Sequence, residues 1–237
     1  MLNINNLSVS YPDGNKAVDD ISLNLEEGKH LALVGANGAG KTSLLLSVMG
    51  ILSFEGEIIV DGIRLSKDNI AEVRKRTGFL FQNPDDQLFM PSIYDDIAFG
   101  PRNMGIDEET IKYRVDDRLK LLGIEQLKDK TALTLSGGEK RMAALATVLA
   151  MKPSLMLLDE PTAFLDPKVR RKLINILKSL PHTMLIATHD LTFAKEVCDE
   201  SVIIKEGKVF ARGKSSELLY DEKLMDEGGI EAIGVER

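Results

Sequence analysis

Short apolar runs bounded by turn residues dominate the first third of the chain. Residues 1–10 alternate polar and apolar side chains, the period of a half-buried strand. Pro12-Asp13-Gly14 and Glu26-Glu27-Gly28 punctuate the next stretch of chain and predict hairpin turns. Leu31-Ala32-Leu33-Val34 is continuously apolar, as strands covered on both faces of a parallel sheet are. A glycine-rich turn separates it from a helix predicted to open at Lys41 and to close near Gly50, because glycine accepts the left-handed conformation that ends helices. Residues 78–82 read as a further buried strand.

Between about residues 83 and 151 the period lengthens to that of helices. Ile111, Val115, Leu119 and Leu122 fall on one face. Strand-like runs return at 154–158, 184–188 and 201–205, and between the first two Asp166 can cap a helix with Pro167 at its first position. The succession predicts an α/β fold, a parallel core interrupted by a helical insertion. Neither an internal repeat nor a low-complexity linker breaks it.

Composition narrows the classes. A chain of 237 residues is long enough for one large domain, burying about 70% or more of its extended surface. Its 43% hydrophobic and 28% charged residues are those of a soluble globular protein. The net charge of −7 argues against non-specific nucleic-acid binding, which needs a broad basic face. The single cysteine, Cys198, excludes an intramolecular disulfide and suits a reducing cytoplasm. Spaced from Ala194 and Val197 as on a helix face, it reads as a core thiol. The N-terminus lacks the charged-then-apolar pattern of a leader, and no run approaches the ~20 apolar residues of a membrane span. Any membrane role is then expected to be peripheral.

Chemistry enters at the glycine-rich turn. Gly35-Ala36-Asn37-Gly38-Ala39-Gly40-Lys41-Thr42 fits G-x-x-x-x-G-K-[ST], with a strand before it and a helix after. Its glycines let successive N–H groups point at phosphate oxygens, aided by the positive end of the helix. With Ser43 these residues form the candidate nucleotide-binding set. Lys41 is placed to reach the β- and γ-phosphates and Thr42 to ligate Mg²⁺. Leu155-Met156-Leu157-Leu158-Asp159 then ends a buried strand in an acid that can hold the metal, and Glu160 can polarise the attacking water. A strand ending in an acidic turn is commonplace alone; behind a phosphate loop it gains meaning. To this point a small-molecule kinase fits equally well.

Leu135-Ser136-Gly137-Gly138-Glu139 separates the readings. Ser136 and Glu139 form a capping box at a helix start. Capping, however, does not require two glycines in the first turn, where they weaken the helix, whereas bare backbone there lets an anion approach. The stretch resembles the LSGGQ signature of ATP-binding-cassette (ABC) ATPases, with Glu139 in place of Gln. The resemblance implies a P-loop NTPase (RecA-like) core over about 1–82 and 152–220, with an N-terminal antiparallel β subdomain. It also implies an inserted α-helical subdomain over about 83–151, and leaves 221–237 as a short acidic C-terminal tail. In that family the signature of one subunit closes over the γ-phosphate held by the P-loop of another, so Ser136, Gly137 and Gly138 would complete a partner's site. Tyr11 resembles the aromatic residue that stacks on adenine, and Gln82 the glutamine that senses Mg²⁺ and the membrane partner. Phe164-Leu165-Asp166 resembles the D-loop that crosses the dimer interface. His189 resembles the switch histidine that contacts the γ-phosphate, joining Lys41, Gln82 and Glu160 in the catalytic set. His30 and His182 match no motif.

One segment points to a branch of the family. Gln82-Asn83-Pro84-Asp85-Asp86-Gln87-Leu88-Phe89, continuing to Ala98-Phe99-Gly100-Pro101, resembles the corresponding stretch of energy-coupling-factor (ECF) transporter ATPases, which serve importers of cobalt, nickel, biotin and other vitamins. The resemblance implies ATP and Mg²⁺ as ligands and a second ABC ATPase subunit as partner, in a homo- or heterodimer. It further implies integral membrane ECF-type subunits that dock on Asp85, Asp86, Gln87, Leu88 and Phe89 at the cytoplasmic face of the membrane. The plainer alternative is a solvated acidic turn with a Leu-Phe pair tucked into the core. Many ECF ATPases carry a longer C-terminal region that helps hold the dimer; with a short stretch from Tyr220 to Arg237, weak dimerisation without nucleotide is expected. Two rival readings remain. A soluble ABC ATPase acting on DNA or the ribosome would carry a long coiled-coil insertion or two cassettes, and a P-loop kinase would have no use for residues 135–139.

Overall fold

A computed structural model describes residues 1–234. Two sheets are stacked. The smaller pairs strands in the order β2-β1-β4-β5, all antiparallel: β1 Leu2–Ser10, β2 Lys16–Leu25, β4 Glu55–Val60 and β5 Ile63–Arg64. The alternation of β1 slips at Asn5-Asn6, where Asn6 takes φ 48° and the pairing register shifts. This bulge returns Leu7 and Val9 to the buried face after Leu2 and Ile4.

The larger sheet runs β10-β9-β3-β8-β7-β6. It comprises β3 His30–Val34, β6 Thr77–Leu80, β7 Leu155–Asp159, β8 Thr183–Ala187, β9 Glu200–Lys205 and β10 Lys208–Lys214. All neighbours are parallel except β9 and β10. Its apolar runs are continuous because both faces are covered. Ala32, Val34, Met156, Leu158, Met184 and Ile186 join the core on one side, while Leu31, Leu33, Leu155, Leu157 and Leu185 join the core on the other.

The two turns predicted as hairpins behave differently. Tyr11 to Asn15 does join β1 to β2, with Gly14 at φ 86°. The Glu26–Gly28 turn does not make a hairpin: it carries the chain out of the antiparallel sheet into the parallel one, and β2 and β3 do not pair. The reason is β3 itself, which is apolar on both faces and needs cover that an antiparallel edge cannot supply.

Helix α1, Lys41–Val48, packs under the sheet beside α2, Ile70–Arg76. Strand β6 ends at Leu80, two residues short of the expected Gln82. The segment from Phe81 onward leaves the sheet because the helical insertion claims its backbone. That insertion, between adjacent strands β6 and β7, comprises α3 Ile93–Asn103, α4 Glu108–Leu122 and α5 Gly137–Ala150. Ile111, Val115, Leu119 and Leu122 of α4 are 0–1% exposed. Helices α6, Pro167–Ser179, and α7, Leu191–Val197, connect β7 to β8 and β8 to β9. After β10, α8 Ser215–Leu218 and α9 Glu222–Glu227 fold back, and Leu219, Met225 and Ala232 enter the same core as the insertion. The acidic tail is thus anchored as far as Ala232, and its last three residues lie outside the described chain. Cys198 is buried, which pushes its thiol pKa far up and leaves it inert. Among the described residues no helix is long and apolar enough to cross a membrane.

Candidate nucleotide site

The turn after β3 is held by what surrounds it. Gly40 sits at φ 104°, and a Cβ there would stand 2.1 Å from the Ala17 carbonyl oxygen, so only glycine lets β2 approach the loop. Gly207 N–H donates to Ala39 O at 3.1 Å and Asp19 N–H to Gly207 O at 2.8 Å, fixing the loop between β2 and the β9–β10 turn. Beside it opens a cleft of about 600 Å³ lined by Tyr11, Asn15, Ala17, residues 37–43, Gln82, Glu160, Phe164 and His189. The fold therefore gathers Tyr11, Asn37, Gly38, Ala39, Gly40, Lys41, Thr42, Ser43, Gln82, Glu160 and His189 from five separate stretches of chain. Gly35 and Ala36 are not among the lining residues and accept from the Lys41 ammonium at 2.7 and 3.0 Å through their carbonyls. Burial lowers the pKa of Lys41, and the Glu160 and Asp159 carboxylates oppose that shift. Tyr11 is tethered to the loop through its hydroxyl, 3.0 Å from Ser43 Oγ.

Asp159 lies at the end of β7, 3% exposed. Its Oδ2 accepts from Thr42 Oγ1 at 2.9 Å, while its Oδ1 is buried with no partner. Burial and then the neighbouring Glu160 charge raise its pKa, against the Thr42 hydrogen bond that lowers it. An orphaned carboxylate oxygen beside a hydroxyl, at the foot of a phosphate loop, is a donor set for a hard cation that keeps part of its water shell. Mg²⁺ is such an ion. No group of three or more His, Cys, Asp or Glu side chains that could hold a metal occurs among the described residues. Glu160 follows at φ 44°, a conformation that turns its carboxylate out of the strand and into the cleft. There Oε2 stands 2.9 Å from His189 Nδ1 and accepts from the His189 N–H at 3.2 Å.

Two positioning groups escaped the sequence reading. Arg141, on α5, is 1% exposed and donates to the carbonyls of Phe81, at 2.7 Å, and Gln82. Burial lowers its pKa to about 10, with Asp159 opposing. The signal was present, since Arg141 shares a helix face with Leu145 and Val148, where a charge must have a partner. Asp190, after His189, caps α7 and receives a two-pronged contact from Arg170 at 2.8 and 2.9 Å, with Thr162 at 3.2 Å. No spacing announces this network, because it joins a loop residue, Thr162, a residue of α6, Arg170, and the cap of α7, Asp190.

Ser136 caps α5 and forms the full capping box with Glu139. Ser136, Gly137 and Gly138 do not line the cleft of their own chain. Asp166 caps α6 through the N–H groups of Lys168 and Val169 at 2.9 and 3.1 Å. The segment 85–89 divides. Leu88 is buried in the core, and Gln87 is turned inward, bonded to Phe81 N–H, Ala144 O and Thr147 Oγ1. Asp85, Asp86 and Phe89 face solvent, Asp85 in an ion pair of 2.6 Å with Lys140. Phe89 packs edge-on against Phe99 at 5.1 Å. It is held out by Asp96, whose buried Oδ1 accepts from Phe89 and Met90 N–H groups at 2.9 Å.

A glycine-rich loop at a helix start, Lys41 beside it and the Asp159–Glu160 pair fit a triphosphate and its metal. Fold and cleft together define a P-loop ATPase. The ABC transporter family profile matches residues 18–163, and the chain belongs to that family as an ATP-binding subunit with ATPase activity. It is 41% identical over 233 residues to the energy-coupling factor transporter ATP-binding protein EcfA of Carboxydothermus hydrogenoformans, covering 97% of this chain and 86% of that one. Among solved structures it resembles cbiO1 of Clostridium perfringens, part of the ABC transporter complex cbiONQ, with TM-score 0.84 and 39% identity over 95% of this chain and 93% of that one. It also resembles the dimeric bacterial ABC transporter cassette MJ0796, with TM-score 0.82 and 27% identity over 91% and 99% of the two chains.

Proposed function

We propose that the chain works as half of a closed dimer, in which ATP and Mg²⁺ lie between the cleft of one copy and residues Ser136, Gly137 and Gly138 of another. In this reading dimer closure powers an ECF-type importer of a metal ion or vitamin. One observation carries the dimer: the cleft gathers Tyr11, residues 37–43, Gln82, Glu160 and His189, yet the exposed Ser136 and Gly137 and the half-buried Gly138 do not line it. The dimeric MJ0796 cassette supports the same reading. Tyr11 stacks on the base, and the 35–43 loop with Lys41 binds the phosphates. Thr42, Asp159 and, as a metal sensor, Gln82 hold Mg²⁺, which when bound offsets phosphate charge. Glu160 accepts the proton of the attacking water while His189 contacts the γ-phosphate. Asp166 lies toward the dimer interface.

The ECF assignment rests on the EcfA and cbiO1 likenesses and on the exposed Asp85, Asp86 and Phe89, with Gln87 and Leu88 supporting them from below. It places the subunit peripherally at the cytoplasmic face, bound to integral membrane partners. A DNA- or ribosome-directed role lacks the long coiled coil it would need, since the longest helix of the insertion, α4, has 15 residues.

Two experiments test the two levels. Glu160→Gln should hydrolyse ATP about 10²–10⁴-fold more slowly and be trapped by ATP–Mg²⁺ as a dimer in light scattering. Adding Ser136→Arg should return it to monomer with nucleotide still bound; a dimer that survives this change refutes the composite site. For docking, Asp85→Asn/Asp86→Asn should keep ATP binding and fold, because the exposed Asp85–Lys140 pair contributes only ~0–1 kcal/mol. The same variant should lose co-purification with the membrane subunits, typically at a cost of about 2–5 kcal/mol. Full recovery of the complex removes the ECF assignment alone.

A further inference from the structure

A serine that caps a helix uses a lone pair of its hydroxyl and keeps the proton free for another acceptor. At Ser136 that proton is taken. Ser136 Oγ donates to Glu139 Oε2 at 2.8 Å, closer than the 3.4 Å at which it accepts from the Glu139 N–H that it caps. The same Oε2 accepts from the Ser136 N–H at 2.9 Å. The Ser136 N–H and then its hydroxyl hold the Glu139 carboxyl below its ordinary pKa, with the Lys130 charge adding to them and burial opposing. Lys140, the next residue along, is engaged by Asp85 instead.

A hydroxyl has one proton to donate, and phosphate oxygens only accept. With its proton on Glu139, Ser136 offers a phosphate lone pairs and no donor. An anion also stands in the same helical turn. Glu139 thus does two opposite things. As a carboxylate at a helix start it favours the fold, and as a fixed charge it opposes the approach of another anion.

We infer that Glu139 is a positioning residue that restrains ATP-driven closure, by withholding the Ser136 hydroxyl proton from the γ-phosphate and by setting a like charge beside it. This rests on the closed-dimer reading above. For the phosphate to gain the hydroxyl, Ser136 must exchange one charge-assisted hydrogen bond for another. The exchange yields little net stabilisation, and the repulsion between carboxylate and phosphate remains. Two-fold symmetry imposes both effects twice in each dimer.

The test takes Glu160→Gln with ATP–Mg²⁺ as the parent and measures dimer dissociation by sedimentation. Adding Glu139→Gln keeps the size of the side chain and the capping box but removes the charge. It should lower the dimer Kd about tenfold or more, while lowering the Tm of the nucleotide-free chain by ~1–4 °C, the effect of losing a charge at a helix start. A residue that merely capped the helix would weaken both together. Ser136→Ala should raise the dimer Kd about threefold more in the Glu139→Gln background than in the parent, since only there is the hydroxyl proton free to be lost. A dimer Kd that Glu139→Gln raises, or leaves within about twofold of the parent, overturns the inference. Equal effects of Ser136→Ala in the two backgrounds overturn the hydroxyl as its route. A parent that stays monomeric, or that still dimerises with Ser136→Arg, removes the composite site and this inference with it.

Discussion

Asp159 concentrates the conflict between folding and function in one side chain. Its carboxylate is buried, one oxygen has no partner, and Glu160 adds a like charge next to it. A carboxyl whose pKa is raised by folding costs stability at neutral pH, and the cost disappears as pH falls through the folded value. Asp159→Asn keeps the shape and the Thr42 hydrogen bond while deleting the charge. The isolated chain should be as stable as the parent or more so at pH 7, whereas Mg²⁺-dependent hydrolysis should fall at least ~10²-fold. Thermal melts with and without ATP–Mg²⁺ check both halves. A variant that melts lower in the absence of ligand would show that the carboxylate is better satisfied than its surroundings imply.

At the scale of elements, the β8–α7 corner carrying His189 is fastened to α6 through Asp190 and Arg170. Burial acts to raise the Asp190 pKa, but the Arg170 hydrogen bonds and the Phe193 N–H prevail and hold it below the usual carboxylate value. A depressed carboxyl pKa contributes stability that is complete above the unfolded value near ~3.9 and is lost as pH falls through the folded one. Arg170→Met should therefore be less stable than the parent by about 1.5–3 kcal/mol at pH 7, the range for hydrogen bonds to charged groups. The gap should hold down to about pH 5 and narrow below about pH 4 as Asp190 takes its proton. Urea midpoints across that range measure it, and a gap that stays constant to pH 2.5 assigns the loss to packing instead. His189 is legible from sequence through its resemblance to the switch histidine; the clamp behind it is not, because Arg170 and Asp190 are 20 residues apart on different elements.

Across the whole molecule, Arg141 is the bolt between the insertion and the core. It stands on α5, the helix opened by Ser136, and reaches the carbonyls of Phe81 and Gln82, where β6 gives way to the loop facing the cleft. The same helix receives Gln87 on its Ala144 carbonyl at 3.0 Å and Thr147 hydroxyl at 2.7 Å. The helical insertion is thus tied directly to the backbone of Gln82. Arg141→Met preserves the apolar stem but leaves two part-buried carbonyls without donors, at no more than about 1–3 kcal/mol each before the loop relaxes and water reaches them. The unfolding slope should be unchanged and the urea midpoint lowered, with ATPase activity reduced more than nucleotide affinity, because Gln82 moves while the P-loop does not. Normal turnover in a folded variant would make Arg141 a core residue without a part in the site.

The phosphate loop, the Asp159–Glu160 pair, the capped glycine pair and most strands are determined by the sequence alone, because each depends on residues adjacent in the chain or on a short period. What required the tertiary structure is everything joining distant segments. The Glu26–Gly28 turn reads locally as a hairpin, yet the two-sided burial of β3 sends it to another sheet. The five residues 85–89 read as one docking surface, but α5 draws Gln87 and Leu88 inward and leaves Asp85, Asp86 and Phe89 outside. Arg141 and Asp190 acquire partners only when three-dimensional packing decides which backbone carbonyls and which guanidinium are within reach. Local patterns encode the chemistry each segment can offer. Burial, a property of the whole chain, selects which of those groups must pair within the fold and which remain at the surface.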